Sequence, residues 1–386
     1  MLTGDLDRLL AAEIGALPPP AITTAGTWQP APPGSGLAPG SYGTPVAFRL
    51  AGGHPASAQR IAMTLAATLR LADWVCSATV TGGYVTVTVT PDALARLAVR
   101  ITTAGPACAR GTALAGTTVP APADPDLAAA PGWADAWRQL AAHLAGRLAE
   151  AAGARTIPCL HPERSPVAGS VPGRATGPVA DAIGFAGASA IRYALARIPP
   201  GTPPRVDPGH AARRHLDVPA YAVRYAHSRA VSTLRQAADL GLSRGDAAEF
   251  GPRLLAHPCE RVLLGELSWL PERVAGAARR ARPDTFPRYL ERLAGAYLDC
   301  QEQCPAVWPG IGRGGGAGTS GARGGGAGTS GARGGGAGTS GGRGAGAGAG
   351  TAGAPQVVAR LWLAAASATA LRAGLDLLGV DAPDRL

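Results

Sequence analysis

Glycine and proline decide where this chain can fold. Its 55 Gly and 35 Pro residues concentrate at 28–45, 104–132, 158–178, 199–209 and 309–355. Gly is costly to order and Pro withholds a backbone donor, so these stretches read as linkers or loops. The folded parts lie between them. Residues 178–304 read as helix after helix by apolar spacing: 178–184, 187–197, 210–216, 218–240, 244–256, 258–268, 271–280 and 284–304. A last helix is expected at 355–380. The natural architecture for such a run is an all-α bundle.

Between the last two helices lies a low-complexity array. Arg-Gly-Gly-Gly-Ala-Gly-Thr-Ser-Gly-Ala starts at Arg313, recurs at Arg323 and Arg333, and decays from Arg343. It holds no side chain large enough to pack, so disorder is expected over 309–355. Long insertions of this kind add little closure cost. Arg-Gly segments also bind RNA electrostatically, so a passive loop and an RNA-contacting arm both stay open.

The N-terminal part reads differently. Leu2, Leu6, Leu9, Leu10 and Ile14 have helical spacing over 2–16, and 42–50 is extended or early helical. Residues 56–73 form an amphipathic helix with Ile61, Leu65, Leu69 and Ala72 on one face. Two β-branched runs, 74–81 and 84–90, flank Gly82-Gly83, a hairpin signal. Pro91-Asp92 opens another helix. The expected organisation is α+β: a small α/β domain at 1–104, a Pro/Gly-rich linker at 105–177, and a predominantly helical domain at 178–386. The linker carries one helix, 133–150, whose stripe of Trp133, Trp137, Leu140, Leu144 and Leu148 needs a neighbour to pack on.

Charge and composition narrow the chemistry. The formal charge is +10, every basic residue is Arg, and Lys is absent. That excludes a P-loop lysine and Schiff-base chemistry. A basic balance suits a polyanionic partner. The six cysteines have no disulfide-scaffold spacing. The N-terminus lacks a basic n-region and a long apolar run, and no apolar stretch of roughly 18–20 residues is evident. A cytoplasmic location with reduced thiols and no membrane partner is expected.

The order of motifs in the C-terminal half adds a resemblance. Ala186-Gly187-Ala188-Ser189-Ala190-Ile191-Arg192-Tyr193-Ala194-Leu195 looks like the D-A-L-R helix of arginyl-tRNA synthetases. Val223-Arg224-Tyr225-Ala226-His227-Ser228-Arg229-Ala230 resembles the family's V-Q-Y-A-H-A-R-I segment. His257-Pro258-Cys259-Glu260, Arg288-Tyr289-Leu290-Glu291 and the tail from Gly374 to Leu386 continue it in order. Tyr42-Gly43-Thr44-Pro45-Val46-Ala47-Phe48-Arg49-Leu50 is similar to an element of the family's N-terminal domain, which contacts the outer corner of tRNA. The resemblance implies a DALR anticodon-binding domain and tRNA as partner. It also exposes a gap. The family's catalytic core carries H-I-G-H and K-M-S-K-S, but the first is absent here and the second needs Lys. Only 105–177 separates the two matched regions, below the roughly 100–200 residues of an ordinary domain. The family's signature Asp is Ser189, its Asn before V-x-Y is Val218, its Gln is Arg224, and its terminal Met is Leu386.

The expected RNA-binding residues are Tyr221, Arg224, Tyr225, Arg229, Arg235 and Arg372. Tyr221, Tyr225 and Arg229 share a helix face at i, i+4 spacing. Rings beside guanidinium groups offer a stacking face and planar donors to an unstacked base. His227 reads as a buried, satisfied core residue. No catalytic residue and no cofactor are expected, because the G-x-S-x-G matches at 241–245 and 338–342 follow an expected helix or lie in the glycine-rich array, not between a strand and a helix as a nucleophile elbow does. The spacings of Cys159-x-His161, His257-x-Cys259 and Cys300-x-x-x-Cys304 do not match a zinc finger and no C-x-x-C exists, so no metal is expected. Three functions fit: a tRNA-binding protein that recruits tRNA to a partner enzyme, a scaffold with a vestigial RNA surface, or the non-catalytic part of a split ligase. An exposed apolar patch along the Trp133/Trp137 helix would favour the scaffold.

Overall fold

The computed structural model describes residues 5, 37–52, 54–159, 177–307 and 354–386. Most of the helix expected at 2–16, and nearly all of the 309–355 array, lie outside these residues.

The N-terminal sheet has three antiparallel strands in the order β1 (Ser41–Thr44), β3 (Tyr84–Val89), β2 (Val75–Thr81). Gly82 and Gly83 both have positive φ, 56° and 85°, which a two-residue hairpin turn demands of both central residues. Alternation along β3 buries Val85, Val87 and Val89. The helix α1 (Val46–Leu50) follows β1, so the 42–50 segment is strand first and helix second. The amphipathic helix α2 (Pro55–Leu69) covers the sheet with Ala58, Ala62, Leu65, Ala66 and Leu69, all buried. Two further helices, α3 (Pro91–Ala95) and α4 (Leu97–Ala104), lead away from it.

Residues 105–159 are more ordered than a linker. They hold β4 (Thr118–Pro122), α5 (Trp133–Ala151) and β5 (Arg155–Cys159), with β4 and β5 paired in parallel. The Trp stripe of α5 does not form an exposed patch. Leu140, Leu144 and Leu148 are buried, Trp133 and Trp137 pack against the core, and the Trp137 indole donates to the Ile198 carbonyl at 3.1 Å.

The remaining helices are α6 (Pro178–Ala186), α7 (Ala188–Ala196), α8 (Pro208–Ala211), α9 (Pro219–Asp239), α10 (Pro258–Ser268), α11 (Leu270–Arg279), α12 (Thr285–Gln303) and α13 (Ala354–Leu378). Two expectations need correction. The helix expected at 210–216 is the short α8, because His215 and Asp217 close a local hydrogen-bonded turn instead. The helix expected at 244–256 is two 3₁₀ turns, 247–249 and 252–254, because Gly245 takes a positive φ of 66° and Pro252 follows Gly251.

A third correction concerns α13. Its 24 residues from Pro355 to Leu378 are long and apolar enough to cross a membrane, a run hidden in the sequence by its many alanines. Of the most apolar window, 78% is buried inside the protein. The helix packs on α4, α9 and α12 as the central rod of the bundle. Gly374 lies where α13 crosses α12, so close that a Cβ there would strike the Leu290 side chain.

One hydrophobic core runs from Tyr42 to Val380, joining sheet and bundle. Tyr42 is fully buried, donates to Ser268 Oγ at 2.8 Å, and packs its ring 5.5 Å from that of Trp269.

Candidate nucleic-acid interface

The site is built on α9. Val218 precedes the helix, Pro219 sits in its first turn, and Ala220, Val223, Ala226, Ala230 and Ala237 face the core. This buried stripe turns Tyr221, Tyr225, Arg229, Ser232 and Arg235 to the opposite side, where they line a groove of about 800 Å³. Its far wall is the C-terminal tail, Asp384, Arg385 and Leu386. The rings of Tyr221 and Tyr225 stack, with centroids 5.8 Å apart and planes inclined by 19°.

The tail is held in place from both sides. Arg192 is buried and caps the end of α13, its Nε donating to the Leu378 carbonyl at 2.7 Å while Nη2 reaches Asp124 at 2.6 Å. Ser189 Oγ donates to the Asp381 carboxylate at 2.7 Å. From α9, Ser228 Oγ and His227 Nδ1 meet the Pro383 carbonyl at 2.6 and 3.1 Å. His227 therefore carries its proton on Nδ1, and burial pulls its pKa below the ordinary histidine value. It is the satisfied core histidine that its position implied.

The six expected residues divide into two sets. Arg224 Nε donates to the Asp381 carbonyl at 3.2 Å, Arg235 Nη2 to the Asp384 carbonyl at 2.6 Å, and Arg372 lies 3.9 Å from the Asp384 carboxylate. These three brace the tail, though each guanidinium keeps further N–H donors. Arg229 is exposed and makes no ion pair among the described residues. With the tyrosines it forms the open part of the groove. Sequence reasoning missed a neighbouring hollow on the same face, lined by Phe185, Arg213, Arg214, Tyr221, Arg224 and Arg385. Phe185 is 69% exposed there. An apolar ring left in water beside arginines is the signal that sequence spacing could not supply, because Phe185 lies on α6.

Comparison with known proteins identifies the region. Residues 223–308 match the DALR anticodon binding domain family. The chain is 32% identical over 211 residues to an arginine–tRNA ligase of Micrococcus luteus, a match covering 53% of this chain and 30% of that protein. It is 38% identical over 127 residues to an arginine–tRNA ligase of Clavibacter sepedonicus, covering 33% and 22%. The chain is arginyl-tRNA synthetase-like and carries a DALR anticodon-binding domain. Its fold is similar to that of Thermus thermophilus arginyl-tRNA synthetase, with a TM-score of 0.65, 14% identity and 100% coverage of both chains. The matched region spans only about 30% of the length of the curated relatives.

The anticodon-binding domain contains Arg224, Tyr225, Arg229 and Arg235, while Tyr221 and Arg372 flank it in sequence. The fold closes that gap: Tyr221 stacks on Tyr225, and Arg372 reaches the tail from α13. Ser189, which stands where the resemblance expects Asp, pairs with Asp381, so a carboxylate is still present, contributed by the tail.

The described residues also bring together side chains that local spacing had set aside. His257 Nδ1 lies 2.9 Å from Cys259 Sγ, which lies 3.4 Å from Cys304 Sγ. Cys159 is not in this group, and His161 lies outside the described residues.

Proposed function

We propose that this chain is a tRNA-binding protein of the arginyl-tRNA synthetase type that lacks the ATP- and arginine-activating core. The observation that carries the reading is the stacked Tyr221–Tyr225 pair beside exposed Arg229, in a groove on the anticodon-binding domain. An unpaired anticodon base finds a ring face there, and the arginines meet its phosphates. The tail, fixed by Arg192, Ser189 and Ser228, keeps the groove open at a set width.

The absence of the core rests on sequence. No Lys is available for the K-M-S-K-S signature, and no H-I-G-H occurs. Residues 105–159 form β4, α5 and β5, and α5 packs on α7 and α11 as part of the common core. Such a protein carries or recruits tRNA, and a partner enzyme supplies the chemistry.

Binding of purified protein to total tRNA, with sequencing of the retained fraction, tests the reading. Enrichment of one isoacceptor group, lost on Tyr225→Ala, supports it. Equal retention of all tRNAs, unaffected by that substitution, contradicts it.

A further inference from the structure

We propose that His257, Cys259 and Cys304 form a zinc site that staples the end of α12 to the start of α10. Two segments supply the donors. His257 is the N-cap of α10 and Cys259 lies in its first turn. Cys304 is the C-cap of α12. Side-chain donor atoms of His257, Cys259 and Cys304 all fall within 4.8 Å of one another. The three therefore converge from the ends of two helices.

The geometry suits a small tetrahedral ion. With metal–sulfur bonds of about 2.3 Å, the edge of such a tetrahedron is about 3.7 Å. The Cys259–Cys304 separation is 3.4 Å, so a shift of a few tenths of an ångström completes it. Two sulfurs and one imidazole are soft and borderline donors, which favour zinc over magnesium or calcium and leave a fourth position to solvent. On binding, the two thiols release their protons to solvent and each sulfur keeps its electron pair for the metal.

The surroundings hold the donors still. His257 belongs to a capping box: its backbone N–H donates to Glu260 Oε2 at 3.0 Å. Arg360 of α13 then bonds Glu260 Oε1 at 2.8 Å and the Pro305 carbonyl at 3.3 Å, locking both segments beside the cluster. Orientation of donors by hydrogen-bonded neighbours is what metal sites require. The position also gives the staple a purpose. Cys304 lies a few residues before the glycine-rich run, and a metal there pins the end of α12.

The test uses the full chain, reduced and dialysed free of metal, then titrated with cobalt(II) and assayed for retained zinc. The expected result is one equivalent of metal, a thiolate-to-cobalt charge-transfer band and the intense visible bands of tetrahedral cobalt. Cys304→Ser and Cys259→Ser weaken binding at least tenfold, whereas Cys76→Ser, on an exposed cysteine of β2, leaves it unchanged. A wild-type chain that is folded by circular dichroism yet shows no thiolate–cobalt band overturns the proposal. So does a band that survives both cluster substitutions. The wild-type titration decides the matter even where a variant fails to fold, and neither outcome bears on tRNA binding.

Discussion

Tyr225 sits at the centre of the proposed contact, stacked on Tyr221 and next to Arg229 along α9. Stacking of one base on an aromatic side chain contributes about 1–3 kcal/mol, so Tyr225→Ala is expected to weaken tRNA binding roughly five- to 150-fold. Tyr225→Phe keeps the ring and is expected to keep most of the affinity, as filter binding would show. His227 carries a pH prediction. Its folded pKa is depressed by burial, so the unfolded chain takes up the proton first as pH falls. The stability it contributes is present above the unfolded value of about 6.5 and is lost below it. The gap in Tm between wild type and His227→Gln should therefore narrow from pH 7.5 to pH 5. A gap that widens would refute this. Arg192→Ala removes two charge-assisted bonds, one to the Leu378 carbonyl at the end of α13 and one to Asp124, and should cost about 1.5–3 kcal/mol in urea unfolding. At this scale the sequence was informative where neighbours are local. The pairing of Tyr221 with Tyr225 and the burial of His227 follow from helical spacing. The tail contacts of Arg224 and Arg235 do not, because their acceptors are carbonyls about 150 residues away, at Asp381 and Asp384.

Among the elements, α13 matters most, since it touches α4, α9 and α12 at once. Gly374 permits its close crossing with Leu290, and Gly374→Val should destabilise the fold by about 1–3 kcal/mol through overpacking. Differential scanning calorimetry would register it as a fall in Tm. The long helices were legible as periodic apolar runs, α10 to the residue. The β4–β5 pair was not, because Thr118-Val119-Pro120-Ala121-Pro122 has the composition of a linker and pairs only at a sheet edge, where Pro is tolerated. The 244–256 segment was misread because its glycines and proline broke a pattern that looked helical. Ala306 and Val307, just before the glycine-rich run, share a cluster with Val357 and Leu361 just after it. The run thus joins chain ends that are already neighbours. Deleting 313–350 should leave both Tm and tRNA affinity unchanged within error, because shortening a long loop alters closure entropy little. A large loss of affinity would show that the run is an RNA-contacting arm.

For the whole molecule, a formal charge of +10 with arginine as the only fixed cation sets up a salt-dependent encounter with a polyanion. The division into an α/β part and a helical part was readable from sequence. Their union was not: Tyr42 of β1 is buried against Ser268 and Trp269, and one core spans both. Patterning reveals which residues seek burial, while the partner across 226 positions of sequence emerges only in the fold. The measurement that bears most directly on the central claim is the affinity of wild-type protein and Arg229→Ala for total tRNA across a salt series. Three or four phosphate contacts predict a log–log slope of about −2 to −3, shallower by about 0.7 in the variant. No binding at low salt, or a slope unchanged by Arg229→Ala and Tyr225→Ala alike, would contradict the assignment of this groove to tRNA.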